Sequence, residues 1–167
     1  MNTAVNAAQS VTEVSRIEIT DPRRRLAFVP QLFATPVGER LAINFLSRHS
    51  NYDGGMWNFY EVPIGLTGRV GPWADMMINH PTGYIAPAEG VYRLTIPGNY
   101  FDAEVSADAA GIIATLFVLN HLCWKASELG KDYALTCQRL IERQDALKDY
   151  ISIIQHPEKS LIFQAID

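Results

Sequence analysis

The stretch NYFDAEVSADAAGIIATLFVLNHL, residues 99–122, places three carboxylates in front of the most apolar part of the chain. Ser106 is typical of a helix N-cap, because its hydroxyl can accept a hydrogen bond from an unpaired amide of the first turn. Asp108 then falls at the second helical position, where the helix dipole favours a negative charge. The residues that follow are apolar on nearly all sides, which predicts a central buried helix over about 106–124.

Elements on both sides of this helix predict the fold class. An aspartate–proline pair at 21–22 and a threonine–proline pair at 35–36 are typical of helix starts. Runs of aromatic and β-branched residues predict short strands, and a further long helix follows the central one. The strands are expected at 56–62, 83–88 and 91–96, and the long helix at 133–155. We therefore expect an α+β protein, with a small antiparallel β-sheet packed against several helices.

Two segments lie outside these elements. Residues 1–19 are polar and weakly patterned, which predicts a flexible N-terminal arm before a single domain at 20–167. Residues 63–82 carry several glycines and prolines around Trp73, which predicts a long loop or a short inserted helix rather than sheet. No internal repeat or low-complexity tract occurs in the sequence.

The composition excludes several classes of protein. The 167 residues are 48% hydrophobic and 19% charged, as in an ordinary globular domain. The net charge of -4 is too mild to indicate direct binding of nucleic acid. The longest stretch without charged, amide or imidazole side chains, Ala109–Leu119, is shorter than the about 20 residues that cross a bilayer. With no secretory signal and only two cysteines, a cytoplasmic location is expected.

The strongest candidate for chemistry is the acidic cluster of the opening stretch, since the sequence carries no HExxH, GxSxG, phosphate-loop or GxGxxG motif. Asp102 and Glu104 share a face if their segment is extended. Asp108 would add a third oxygen ligand of the kind that magnesium or calcium prefers. Three interpretations stay open: a metal or catalytic cluster, a partner-contact edge, and helix capping with solvated carboxylates. The residue chemistry favours the last.

No catalytic, cofactor-binding or metal-ligating residue is assigned from the sequence. The four histidines are scattered without ligand spacing, and His121, near the end of the buried helix, is interpreted as a hydrogen-bonded structural residue. His156 precedes a proline and suits a helix C-terminus, where a cation is favourable. The candidates for contact with a partner are Asp102, Glu104, Asp108 and Trp73.

Three segments carry a resemblance to a known family. NYDGGMWNFYEV (51–62), GYIAPA (83–88) and NYFDAEVSADAAGIIATLFVLNHLCW (99–124) resemble the ArdB/KlcA antirestriction proteins. Those proteins show a GG-x-W-x-FY strand, a short strand ending in AP, and an SADAAGI-x-ATLF-x-LNHL helix in the same order. The resemblance runs from about Arg25 to the C-terminus, and the segment 63–82 is longer than expected between the matching strands.

The resemblance implies a mixed α+β fold and inhibition of host type I restriction endonucleases, without a reaction of the protein's own. Members of the family are carried by plasmids and other mobile elements and protect incoming DNA. The expected partner is the host type I restriction-modification complex, contacted directly or indirectly, with no cofactor and no membrane. The net charge argues against imitation of DNA, which carries about one negative charge per 1.7 Å of duplex. The alternative is a small metal-dependent enzyme that uses Asp102, Glu104 and Asp108.

Overall fold

The computed structural model describes residues 15–72 and 74–167, which form helices and short antiparallel strands. The helices are α1 (Pro22–Phe33), α2 (Gly38–His49), α3 (Ala107–Glu128), α4 (Ala134–Ile153) and α5 (Lys159–Ile166). The strands are β1 (Ile17–Glu18), β2 (Trp57–Val62), β3 (Thr67–Val70), β4 (Ala74–Met77), β5 (Thr82–Pro87), β6 (Val91–Ile96) and β7 (Phe101–Ser106). The predicted α+β class is confirmed.

The strands form three small antiparallel sheets rather than the one expected. The largest has the order β1–β2–β5, in which Phe59 of β2 lies opposite Ile85 of β5. The other two are the hairpins β3–β4 and β6–β7. Every residue of β5 is buried, because β2 pairs with this strand while α3 and α4 pack against it.

The central helix predicted over about 106–124 is observed as α3, with Ser106 as its N-cap. The Ser106 hydroxyl accepts a hydrogen bond from the amide of Ala109 at 3.1 Å, as the sequence predicted. Gly111 lets the helix approach β5 closely, since a Cβ there would lie 2.5 Å from the carbonyl oxygen of Ile85. The first three turns of α3 are almost wholly buried, so this helix forms the core of the domain.

By length and composition, α3 is also the one helix of the described residues that could cross a membrane. However, 61% of its most apolar window is buried inside the protein. Such burial is what the core helix of a globular domain shows. Most of the apolar residues of α3 are therefore used for internal packing.

Residues 63–82 contain the β3–β4 hairpin, so the prediction of a loop or inserted helix without sheet is wrong. Gly71 has a φ of 71° at the turn, a conformation that favours glycine. Gly68 lies against α4, because a Cβ there would approach the side chain of Ile153 to 2.7 Å. Two of the three glycines that indicated a loop are thus required by the hairpin, Gly71 for its turn and Gly68 for its packing.

The folded domain begins before residue 20, earlier than predicted. Strand β1 pairs with β2, and Ile19 donates its amide to the carbonyl of Phe59 at 2.8 Å. The side chain of Ile19 is buried. Of the arm expected over 1–19, the last residues therefore belong to the sheet, and positions 1–14 lie outside the described residues.

Candidate functional site

A polar cluster surrounds the first turn of α3, with the Asp108 carboxylate at its centre. Oδ1 of Asp108 accepts hydrogen bonds from Arg16 Nη1 at 2.6 Å and from the Tyr84 hydroxyl at 2.7 Å. Oδ2 lies 2.8 Å from Nε2 of His156. Arg16 also donates to the Tyr84 hydroxyl, and its guanidinium lies 4.0 Å from the centre of the Tyr60 ring. We call these five residues the Asp108 cluster.

The Asp108 cluster joins distant parts of the chain. Arg16 precedes β1, Tyr84 lies within β5, and His156 follows the end of α4. The side chain of His156 is 5% exposed, whereas those of Arg16 and Asp108 are 36% and 31% exposed. The ion pair between Arg16 and Asp108 is therefore partly exposed to solvent, while His156 lies on the buried side of the cluster.

The hydrogen bonds around His156 determine its tautomer. The amide of Glu158 donates to Nδ1 at 3.0 Å, so Nδ1 acts as an acceptor and carries no proton. Nε2 therefore carries the proton and donates it to Asp108 Oδ2. The Glu158 carboxylate in turn accepts hydrogen bonds from the amide and the hydroxyl of Ser106. The segment after α4 thus binds both the N-cap and the first-turn carboxylate of α3.

Burial and hydrogen bonding act in opposite directions on the pKa of Asp108. Burial alone would raise it, but hydrogen bonds from His156 and Tyr84 and the charge of Arg16 outweigh burial and hold the pKa below its ordinary value. Burial also lowers the pKa of Arg16, but Tyr84 and Asp108 raise it more, so the net change is upward. Burial raises the pKa of Tyr84, which stays protonated. The cluster is therefore an ion pair held by two neutral donors.

This arrangement favours a structural anchor over reactive chemistry. The Asp108 carboxylate accepts three hydrogen bonds, and the imidazole of His156 and the hydroxyl of Tyr84 are both held as donors to it. Across residues 15–72 and 74–167, no group of three or more His, Cys, Asp or Glu side chains is placed to hold a metal ion. The cluster instead fixes the start of α3 against β5 and against the segment after α4.

Asp102 and Glu104 lie apart from Asp108, on an exposed face of β7. Asp102 accepts hydrogen bonds from Arg93 Nε at 2.7 Å and from the Thr95 hydroxyl at 3.2 Å. The hydrogen bond from Arg93 lowers the pKa of Asp102. Glu104 lies opposite Arg93 in the β6–β7 register. Two of the three acids thus share a strand face, as predicted, while Asp108 belongs to a different site.

The remaining residues named in the sequence analysis are Trp73, His121 and His156, and the two histidines differ from their interpretation. Trp73 falls outside the described residues, so its role as a partner contact stays a prediction. His121 is exposed on α3, so its interpretation as a hydrogen-bonded structural residue is wrong. The buried structural histidine is His156, which follows α4 and serves as a hydrogen-bond donor rather than as the cation expected there.

Sequence reasoning missed Arg16, Tyr84 and His156 as partners of Asp108. They lie 92, 24 and 48 positions away, so no local pattern connects them. One signal was present in the sequence. Tyr84 lies in a predicted strand, and a tyrosine buried in a strand needs a hydrogen-bond partner for its hydroxyl. Arg16 was hidden by its place in a segment predicted to be a flexible arm.

Comparison with known proteins identifies the family. The sequence profile of the antirestriction proteins matches residues 68–167. KlcA, an antirestriction protein of Escherichia coli, is 35% identical over 150 residues, which cover 86% of this chain and 87% of KlcA. A second Escherichia coli KlcA is 35% identical over 150 residues, with 86% and 89% of the two chains covered.

A solved structure from a study of KlcA and ArdB is also similar to this chain. It matches with a TM-score of 0.63 at 30% identity and covers 91% of this chain and 95% of that chain. The study describes a novel fold for KlcA and ArdB, and antirestriction activity of these proteins against type I DNA restriction systems in vivo but not in vitro. By sequence and by structure, the chain belongs to the ArdB/KlcA family of antirestriction proteins.

Proposed function

We propose that this protein relieves type I DNA restriction in the cell that carries it. The observation that carries the proposal is membership of the ArdB/KlcA family, with 35% identity to KlcA over most of the chain. Antirestriction activity against type I systems in vivo is described for KlcA and ArdB. The effect would protect incoming plasmid or other mobile-element DNA, in the cytoplasm, where such DNA meets the host enzyme.

Imitation of DNA is disfavoured by the charge of the protein. Eighteen acidic and fourteen basic residues leave a net charge of only -4. Some acids are also matched by arginines, since Arg93 pairs with Asp102 and Arg24 lies 3.5 Å from Glu61. A DNA duplex presents about one unpaired negative charge per 1.7 Å of its axis. We therefore infer inhibition through a shaped protein surface rather than through occupation of the DNA site by acidic side chains.

The partner that we infer is the host type I restriction-modification complex, contacted directly or through another cellular component. Activity in vivo but not in vitro, as described for KlcA and ArdB, is expected where a component or state found only in cells is required. Such inhibition needs no reaction on the part of this chain and no cofactor. The protein then acts as a binding inhibitor and not as an enzyme.

Asp102 and Glu104 are the candidate contact residues that face solvent on β7. Asp108, in contrast, would influence a contact only through the fold, because its carboxylate is engaged by the other members of the Asp108 cluster. Trp73 remains a candidate within the segment 63–82. An Asp102→Asn/Glu104→Gln double variant with unchanged stability tests this face, because loss of activity would support a contact there and full activity would exclude one.

Phage plating tests the proposed activity. Unmodified phage is plated on a host with an active type I restriction system, with and without expression of the protein, and progeny phage is checked for modification. A rise in plating of several orders of magnitude, with modification intact, supports inhibition after DNA recognition. No rise, with soluble protein confirmed, contradicts the proposal.

The alternative of a metal-dependent enzyme makes a different prediction. It requires saturable binding of magnesium or calcium by Asp102, Glu104 and Asp108. Because Asp102 pairs with Arg93 and Asp108 with Arg16, these carboxylates are already occupied at separate sites. Titration calorimetry of the purified protein with either ion is expected to give no saturable heat, and a saturable signal would favour the enzyme.

A further inference from the structure

A groove of about 410 Å³ opens between α2 and α3, beside the end of β6. Its floor is apolar: Leu41 and Phe45 come from α2, and Phe117 and Val118 come from α3. The rings of Phe45 and Phe117 stack with their centroids 4.7 Å apart. Both phenylalanines are only partly buried, so their rings are accessible from the groove. We call this feature the α2–α3 groove.

The apolar floor continues along the exposed face of α3. Phe117, His121 and Trp124 are spaced i, i+4 and i+7, which places them on one side of the helix. His121 lines the groove, and Trp124 beyond it is 66% exposed. Aromatic and arginine side chains are the usual anchors of protein interfaces. This face therefore has the composition of a binding surface rather than that of an ordinary solvated helix.

One arginine and two histidines line the groove. They are Arg48, His49 and His121, and no described aspartate or glutamate lines it. Arg40 is exposed on α2 eight residues before Arg48, about two helical turns away, and does not itself line the groove. Neither arginine forms an ion pair with any residue in 15–72 or 74–167, whereas three arginines elsewhere pair with carboxylates. Unpaired positive charge thus lies beside an exposed apolar floor on a protein of negative net charge.

We propose that the α2–α3 groove is the docking site for an acidic segment of a protein partner. An apolar side chain of that segment would pack on Phe45 and Phe117, and a carboxylate would pair with Arg48. This inference rests on the proposed function, since the partner would belong to the restriction system or act with it in the cell.

The shape and charge of the groove favour a protein segment over nucleic acid. A nucleic-acid backbone requires a continuous track of cations, whereas the groove is lined by one arginine, Arg48, and no lysine. The apolar floor suits a leucine or phenylalanine side chain, which a phosphate backbone does not supply. Arginine also binds carboxylates in a bidentate geometry, which would fix the register of an acidic segment.

Peptide titration of the full chain tests the docking site. The probe is a synthetic peptide of about twelve residues, roughly three helical turns, with leucine and phenylalanine four positions apart among glutamates. Its matched control carries lysine in place of every glutamate. Two-dimensional NMR shows which amides respond. We expect saturable binding of the acidic peptide with shifts at Phe45, Phe117 and His121, and no saturable binding of the lysine peptide.

Reversal of the charge of Arg48 tests whether the acidic peptide binds at the groove or elsewhere on the surface. Arg48→Glu is expected to weaken binding of the acidic peptide at least about tenfold, because attraction becomes repulsion. Arg48→Gln only removes the charge and is expected to weaken binding less. A smaller loss in this variant indicates that the loss in Arg48→Glu comes from the reversed charge and not from misfolding. Arg23→Glu is the matched control, since Arg23 is exposed on α1 and does not line the groove. Equal binding of both peptides, no saturation, or wild-type affinity of Arg48→Glu would overturn the proposal.

Phage plating connects the groove with the proposed function. If the wild-type protein relieves restriction, Arg48→Glu is expected to lose that relief while Arg23→Glu keeps it. Relief by folded Arg48→Glu at the wild-type level would exclude the groove as the contact and overturn the inference. If the wild type itself gives no relief, the proposed function fails, and the peptide titration alone decides whether the groove binds acidic segments.

Discussion

Replacement of Asp108 with asparagine is the most direct test of the Asp108 cluster. The amide preserves the size of the side chain but removes its charge and one acceptor oxygen. Its NH2 group would meet a donor at either oxygen position, the Nε2–H of His156 or the Arg16 guanidinium, because the Glu158 amide already donates to Nδ1 of the histidine. Two donors would then face each other, and the Arg16 guanidinium would lose its carboxylate partner.

The expected loss in the free energy of unfolding is about 3 kcal/mol. Breaking a buried charge pair costs about 3–5 kcal/mol, and a hydrogen bond to a charged group contributes about 1.5–3 kcal/mol. The side chains of Asp108 and Arg16 are 31% and 36% exposed, so the lower end of the first range applies. In a domain of this size about 1 kcal/mol moves the melting temperature by about 2–4 °C, so Asp108→Asn should melt about 6–12 °C below the wild type.

Urea and thermal unfolding at neutral pH, followed by circular dichroism, measure this difference. Glu104→Gln is the matched control, because Glu104 is an exposed carboxylate on the neighbouring strand. Its free energy of unfolding is expected to stay within about 0.5 kcal/mol of the wild type. A loss below about 1 kcal/mol in Asp108→Asn would refute the conclusion that the cluster anchors α3.

The pH dependence supplies an independent check of the same cluster. The pKa of Asp108 in the folded protein lies below its usual value of 3.8, because hydrogen bonds from His156 and Tyr84 and the charge of Arg16 outweigh its burial. A group with a lowered pKa stabilises the fold fully above its unfolded pKa and loses this effect as the pH falls through the folded pKa. The difference between the wild type and Asp108→Asn should therefore shrink as the pH is lowered from about 5 to about 3. A difference that grows in acid would contradict this reasoning.

Packing, capping and surface charge give further expected outcomes. Gly111→Ala should lower the free energy of unfolding by about 2 kcal/mol, since overpacking against β5 outweighs the gain in helix propensity; a raised melting temperature would contradict this. Ser106→Ala should cost about 1–2 kcal/mol in urea unfolding, because the N-cap and the hydrogen bond to Glu158 are lost together. Arg93→Gln should leave the urea midpoint unchanged, because its ion pair with Asp102 is exposed.

Local features of the fold could be predicted where one short stretch carries the signal. Ser106 and the apolar residues after Asp108 predicted the start and the burial of α3, and both are observed. The β3–β4 hairpin within 63–82 escaped prediction because its glycines and prolines have the composition of a loop. Its strands are also only four residues long and are not buried, so neither alternation nor length marks them as sheet.

The candidate sites depend on contacts that no local pattern contains. The sequence predicted Asp108 as a first-turn acid and as a candidate for partner contact or a metal cluster, and only the fold brings Arg16 and His156 to its carboxylate. The α2–α3 groove is similar in this respect, because Arg48 and His121 lie on different helices, more than seventy positions apart in the sequence. The local sequence around each of these residues shows nothing unusual, and packing of the core brings them together.

The Asp108 cluster also bears on how the protein is made. During synthesis, α3 is added to the chain before His156 and Glu158, so its first turn at that stage lacks two of its partners while its apolar residues are already present. Partly folded chains of this kind expose apolar surface, which favours aggregation and degradation. Translation that stops before residue 156 should therefore yield fragments for cellular proteases rather than a weaker inhibitor, and the dose of active protein would follow the number of completed chains.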